Sequence, residues 1–161
     1  MNVVVGLGAN LGDRLASLRA ACARISELGT IRARSRVWET EPVGPPDMMA
    51  QPRFLNAAVA LETALAPDAL MRALLEIERA MGRVRAEKNG PRTIDLDLLW
   101  IEGMTLATEL VTVPHPRLKE RAFALAPLLE VAPASREPAT RMAYAEIAFD
   151  ASAVTALADR L

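Results

Sequence analysis

The strongest constraint on this chain is the order in which its hydrophobic period changes. Val3, Val4 and Val5 form a β-branched run that ends in glycines, which reads as a buried strand. Leu11, Leu15, Leu18, Cys22, Ile25 and Leu28 then recur at steps of three or four, one apolar helix stripe, with Asn10 as its expected cap and Gly29 at its end. From Thr30 to Glu39 the step falls to two, with Ile31, Ala33, Ser35 and Val37 alternating against Arg32, Arg34, Arg36 and Trp38. Phe54 to Thr63 is a third strand. Pro67 opens a second helix with the stripe Leu70, Leu74, Ile77 and Met81, closed by Gly82. Ile94 to Ile101 is a fourth strand. The order β-α-β-β-α-β without a sequence repeat predicts a ferredoxin-like α+β sandwich, an antiparallel sheet with helices packed on it. Thr112-Val-Pro-His-Pro116 follows as a stiff connection, and the remainder reads as extra short helices and an Ala-rich tail. The 161 residues suit a single domain, 1–161, with one well-filled core.

The balance of 19 basic against 20 acidic residues leaves a net charge of −1, without the basic excess that drives binding to nucleic acid. No nucleic-acid partner is expected. Cys22 is the only cysteine, which excludes an internal disulfide and a multi-thiolate zinc site. The sequence starts with no basic leader, and no stretch approaches the ~18–20 apolar residues of a membrane span. A cytoplasmic monomer with no membrane partner is the expectation.

The chemistry concentrates in Arg92-Thr-Ile-Asp-Leu-Asp97. On a strand, Asp95 and Asp97 share one face while Ile94, Leu96 and Leu98 share the other. Carboxylates at i and i+2 stand roughly 6.5 Å apart, a separation that can bracket two hard cations. Magnesium prefers such oxygens and keeps positions open for water and phosphate. Two acids on so apolar a strand are costly unless something cationic offsets them. The alternative is a solvated sheet face, and for an isolated Asp-x-Asp that reading comes first. The cations in the loop feeding this strand, Arg83, Arg85, Lys88 and Arg92, shift the weight. Guanidinium groups grip phosphate oxygens bidentately and stabilise a phosphoryl group in transit.

The segment 40–53 holds four prolines and is not regular structure; a loop this long inside a compact domain is usually functional. His115, the single histidine, stands between Pro114 and Pro116 and reads either as a donor to phosphate or as a turn histidine satisfied by backbone. Arg117, Lys119 and Arg121 after it extend a phosphate rim or solvate a helix; the pattern leaves both open. Gly6-Leu-Gly8-Ala-Asn10-Leu11 misses the dinucleotide fingerprint, which requires glycine at position 11. The few aromatics argue against an RNA-binding sheet, and Phe54 and Phe123 read singly as core.

Taken together, Gly90-Pro-Arg92-Thr-Ile-Asp95-Leu-Asp97-Leu-Leu closely resembles the signature of the 6-hydroxymethyl-7,8-dihydropterin pyrophosphokinase family of folate biosynthesis. Gly6 to Asp13, Phe54-Leu-Asn-Ala-Ala-Val59, Gly82-Arg-Val-Arg85, Val113-Pro-His-Pro-Arg117 and Arg121-Ala-Phe123 extend the resemblance in order over most of the chain. It implies transfer of pyrophosphate from ATP to the pterin's hydroxymethyl oxygen, with release of AMP. By similarity, Asp95 and Asp97 hold two magnesium ions, with Asp95 also near the substrate hydroxyl. Arg83, Arg85 and Arg92 neutralise ATP phosphates; His115, Thr112, Leu98 and Arg121 complete the nucleotide site. Phe54 and Phe123 sandwich the pterin, Asn56 reads its edge, and Thr40, Pro42, Val43 and Gly44 close that pocket.

Some positions depart from the pattern: Leu75 stands where some members have glutamine, Asn89 where some have tryptophan, Leu110 where some have arginine, and Pro116 where some have tyrosine. Two other readings compete: a different two-metal phosphoryl or nucleotidyl transferase, and a non-catalytic ferredoxin-like ligand-binding domain.

Overall fold

The computed structural model describes residues 1–41, 52–82 and 93–161. Its centre is β1 (Asn2–Ala9), whose apolar residues are nearly all buried. β1 pairs antiparallel with β4 (Phe54–Glu62) on one side and with β5 (Asp95–Ile101) on the other. Beyond β4 lie β2 (Thr30–Arg34) and β3 (Arg36–Thr40), so the sheet runs β5-β1-β4-β3, with β2 also on β4. This is the expected ferredoxin-like order, in which each helix crosses over an intervening strand.

The stretch read as one strand from Thr30 to Glu39 is broken at Ser35. Ser35 is fully buried, and its hydroxyl accepts from the Ala58 amide at 2.9 Å while its own amide donates to the Ala58 carbonyl. A side chain thus replaces one rung of the ladder, and the strand bends there without leaving a buried donor unpaired.

Helices α1 (Arg14–Ile25) and α2 (Pro67–Ala80) cover one face through Leu18, Ala21, Cys22, Ile25, Leu70, Leu74 and Ile77, packed against Val3, Val5, Leu7, Leu96 and Leu98. The cap of α1 is Asp13, whose carboxylate accepts from the Ala16 amide at 3.1 Å, and not the expected Asn10. Asn10 is instead buried and donates to the Pro52 carbonyl. The other face carries α3 (Ala122–Val131), which lies against β4, β3 and β1 and builds a second core with Leu125, Leu128, Val131 and Tyr144.

The region after β5 contains the expected short helical turns, but it also adds strands. β6 (Leu106–Ala107) and β7 (Thr112–Val113) form a small ribbon beside β5. The tail ends in β8 (Val154–Arg160), paired with β3 at the far edge of the sheet. Its alanines masked the alternation that reveals a strand. Among the described residues no helix is long and apolar enough to cross a membrane.

Gly29 joins α1 to β2 at a very close approach: a Cβ there would lie 2.2 Å from the Glu62 carbonyl oxygen. Gly29→Ala is therefore expected to destabilise the fold by about 3 kcal/mol, the upper range for overpacking, read as a lower urea midpoint.

Candidate active site

Alternation along β5 sets the geometry. Leu96 and Leu98 enter the core beneath α1 and α2, so Asp95 and Asp97 project to the opposite face, where both are half-buried. They stand across from Gly8 and Gly6 of β1. The glycines matter for space: a Cβ on Gly8 would sit 3.1 Å from Asn56 Oδ1, and one on Gly6 would press on the Leu99 side chain.

The same face continues across the sheet. On β4, Leu55 and Ala57 point into the helical core, which turns Phe54 and Asn56 to the aspartate side. Asn56 is buried, and its Nδ2 donates to Thr40 Oγ1 of β3 at 2.9 Å. That bond orients the amide, leaving Oδ1 beside Gly8. Phe54 pairs with Thr40 in register and is half-buried.

A third group comes from the turn after β7 and the start of α3. The Val113–Pro114 peptide is cis, and the next amide, His115, donates to the Leu99 carbonyl on the outer edge of β5 at 2.8 Å. His115 Nδ1 accepts from the Arg117 amide at 3.2 Å, so the neutral ring carries its proton on Nε2. Burial lowers the pKa of His115, and the Arg121 and Arg117 charges push the same way against the opposing pull of Asp95. Those interactions bring His115, Arg121 and Asp95 into one electrostatic neighbourhood. Arg121 leads into α3 with its guanidinium 5.4 Å from the centre of the Phe123 ring, a cation–π contact.

Thr40, Phe54, Asn56, Asp95, Asp97, His115, Arg121 and Phe123 therefore belong to one side of the sheet or to the segments bordering it. Thr112 is exposed on β7, beside the outer edge of β5. Leu98 stands apart: its side chain is in the core on the other face, so only its backbone is on offer to a ligand. Pro42, Val43, Gly44, Arg83, Arg85, Lys88, Asn89 and Arg92 lie outside the described residues.

One residue at this site escaped the sequence reading. Glu78 of α2 is 2 % exposed, and its Oε1 accepts from the Leu96 amide at 2.8 Å, between the two aspartates. The signal was present: position 78 falls four residues after Leu74 and eight after Leu70, on the buried stripe, where a carboxylate requires a partner.

The sequence model of the 7,8-dihydro-6-hydroxymethylpterin-pyrophosphokinase (HPPK) family matches residues 4–133. A 2-amino-4-hydroxy-6-hydroxymethyldihydropteridine pyrophosphokinase of Methylorubrum extorquens is 46% identical over 131 residues, covering 80% of this chain and 81% of the relative. One of Bacillus subtilis is 42% identical over 138 residues, 84% of this chain and 81% of the relative. In fold, the chain is similar to a crystallised HPPK-DHPS with substrates, at a TM-score of 0.66 and 16% identity. That match covers 91% of this chain but 42% of the longer one. By the extent of the family match and by these identities, the chain belongs to the 7,8-dihydro-6-hydroxymethylpterin-pyrophosphokinase family.

Proposed function

We infer that the chain transfers pyrophosphate from ATP to the hydroxymethyl group of 6-hydroxymethyl-7,8-dihydropterin, releasing AMP, in folate biosynthesis. The observation that carries this reading is the shared aim of Asp95 and Asp97 on a face bordered by Phe54 and Asn56 of β4 on one side and by His115, Arg121 and Phe123 on the other. In the reaction the substrate oxygen forms a bond to the β-phosphorus, the bond from that phosphorus to the α-phosphate oxygen breaks, and the hydroxyl proton is lost. Competition from water makes enclosure important.

Asp95 and Asp97 fit magnesium: they are hard oxygen donors, half-buried, on one strand face. They would hold two ions, which when bound supply Lewis-acid neutralisation of phosphate charge. Asp95, nearer His115 in its electrostatics, would also stand beside the substrate hydroxyl. His115 Nε2 would donate to phosphate, with Arg121 as a fixed positive charge. Arg83, Arg85 and Arg92 would complete the phosphate clamp, with Thr112 and the Leu98 backbone toward the nucleoside. The edge of the pterin would meet Asn56 and Thr40, its faces Phe54 and Phe123, and its far side Pro42, Val43 and Gly44. The proposed setting is a cytoplasmic monomer, in keeping with a single cysteine suited to a reducing compartment.

With ATP, magnesium and hydroxymethyl-dihydropterin supplied, AMP is the expected nucleotide product, and ADP would indicate a simple kinase instead. Asp97→Ala is expected to lose at least roughly 100-fold in turnover in that assay. Retained turnover would exclude the metal assignment. His115 yields a prediction on stability. Its native pKa lies below the unfolded value near 6.5, so the unfolded chain takes up a proton that the native chain refuses. Its contribution is present above about pH 6.5 and is lost as pH falls through the native value. Urea midpoints measured from pH 7.5 down to pH 5 should decline less steeply in His115→Gln than in the parent chain.

A further inference from the structure

We propose that Glu78 is a positioning residue for the Asp95–Asp97 pair, acting through the backbone of Leu96; the inference rests on the metal reading above.

Among the described residues β5 is the edge strand of the sheet, with β1 on its inner side and no strand of the sheet on its outer side. Leu96 is paired with Leu7 across the ladder, but its amide donates to Glu78 and hence points outward. By the alternation of an antiparallel ladder, the backbone groups of Asp95 and Asp97 then turn inward, toward Gly8 and Gly6. The outward Leu96 amide is buried beneath α2, where a donor left unpaired is costly. The Glu78 carboxylate meets it at 2.8 Å while itself 2 % exposed, held by a helix whose neighbouring Leu74 and Ile77 are locked in the core.

The consequence is geometric. Leu96 is the residue between the two metal-binding carboxylates, so any roll of the strand there re-aims both at once. The inner edge is fixed by β1; on the outer edge, three residues beyond Leu96, the His115 amide reaches the Leu99 carbonyl. Glu78 supplies the outer hold at the aspartates themselves, a role like that of partners that orient ligands without touching the metal.

The test compares Glu78→Gln, which keeps an acceptor oxygen at the same reach, with Glu78→Met, which keeps the length and loses the acceptor. Glu78→Asp, which shortens the reach by one methylene, is the third variant. Manganese binding in the presence of a non-hydrolysable ATP analogue is measured by electron paramagnetic resonance, alongside the magnesium dependence of turnover. Glu78→Met should weaken manganese binding and raise the magnesium required by about 10-fold or more, with pterin affinity unchanged. Glu78→Gln should stay within about threefold of the parent, since the acceptor remains. If Glu78→Met does not fold, Glu78→Asp decides, with the same loss of metal affinity expected. Parent-like metal binding in Glu78→Met, or in Glu78→Asp where that variant decides, would overturn the proposal. So would a Glu78→Gln as impaired as Glu78→Met, because the acceptor would then not be what matters. Asp97→Ala measured in parallel separates the two levels. If it binds manganese like the parent, the metal reading itself fails. If it loses manganese while Glu78→Met does not, only the role of Glu78 fails.

Discussion

An edge strand that must be greasy on one face and charged on the other is the constraint on which this molecule is built. Among the described residues β5 is hydrogen-bonded in the sheet to β1 alone, yet it anchors the main core through Leu96, Leu98 and Ile101 and presents Asp95 and Asp97 on the reverse. Exposed edges invite stray pairing. Here the outer backbone is occupied by groups that also belong to the site: Glu78 on the Leu96 amide and His115 on the Leu99 carbonyl. Protection of the edge and construction of the site use the same hydrogen bonds.

The helix on the site face has a comparable double duty. α3 presents Phe123 at its first turn, and further along Glu130 accepts from the Trp38 indole and from Arg36 of β3. β3 in turn delivers Thr40 to Asn56. The position of the aromatic at one end of α3 is thus tied to the polar pair on the neighbouring strands through a carboxylate on the same helix. Pro127 inside α3 is itself buried.

Much of this was legible in the sequence because it depends on period. The alternation around Asp95 and Asp97 names their common face without any structure, and the stripe of α2 names its buried side. What escaped depends on pairing between distant segments. Ser35 breaks its strand because Ala58 offers both halves of a hydrogen-bonded exchange, which local pattern cannot reveal. β8 was hidden because Ala156 and Ala158 carry little contrast with their neighbours, and only the free edge of β3 makes the segment a strand. Asn10 and Asp13 are both good caps, and the choice between them came from the Pro52 carbonyl waiting for Asn10. Both readings of His115 hold in one ring: Nδ1 is satisfied by the Arg117 amide, as in a turn histidine, which leaves Nε2 as the donor.

The central place of β1 also bears on how the chain reaches its fold. Residues 2–9 find their strand partners at 54–62 and 95–101. During synthesis at about 5–20 residues per second, the hydrophobic N-terminal strand waits roughly 5–20 s before its second neighbour exists. For that interval Val3, Val4 and Val5 are a β-prone segment lacking the strand that will seal them, so the nascent chain is most vulnerable to self-association before β5 has emerged from the ribosome.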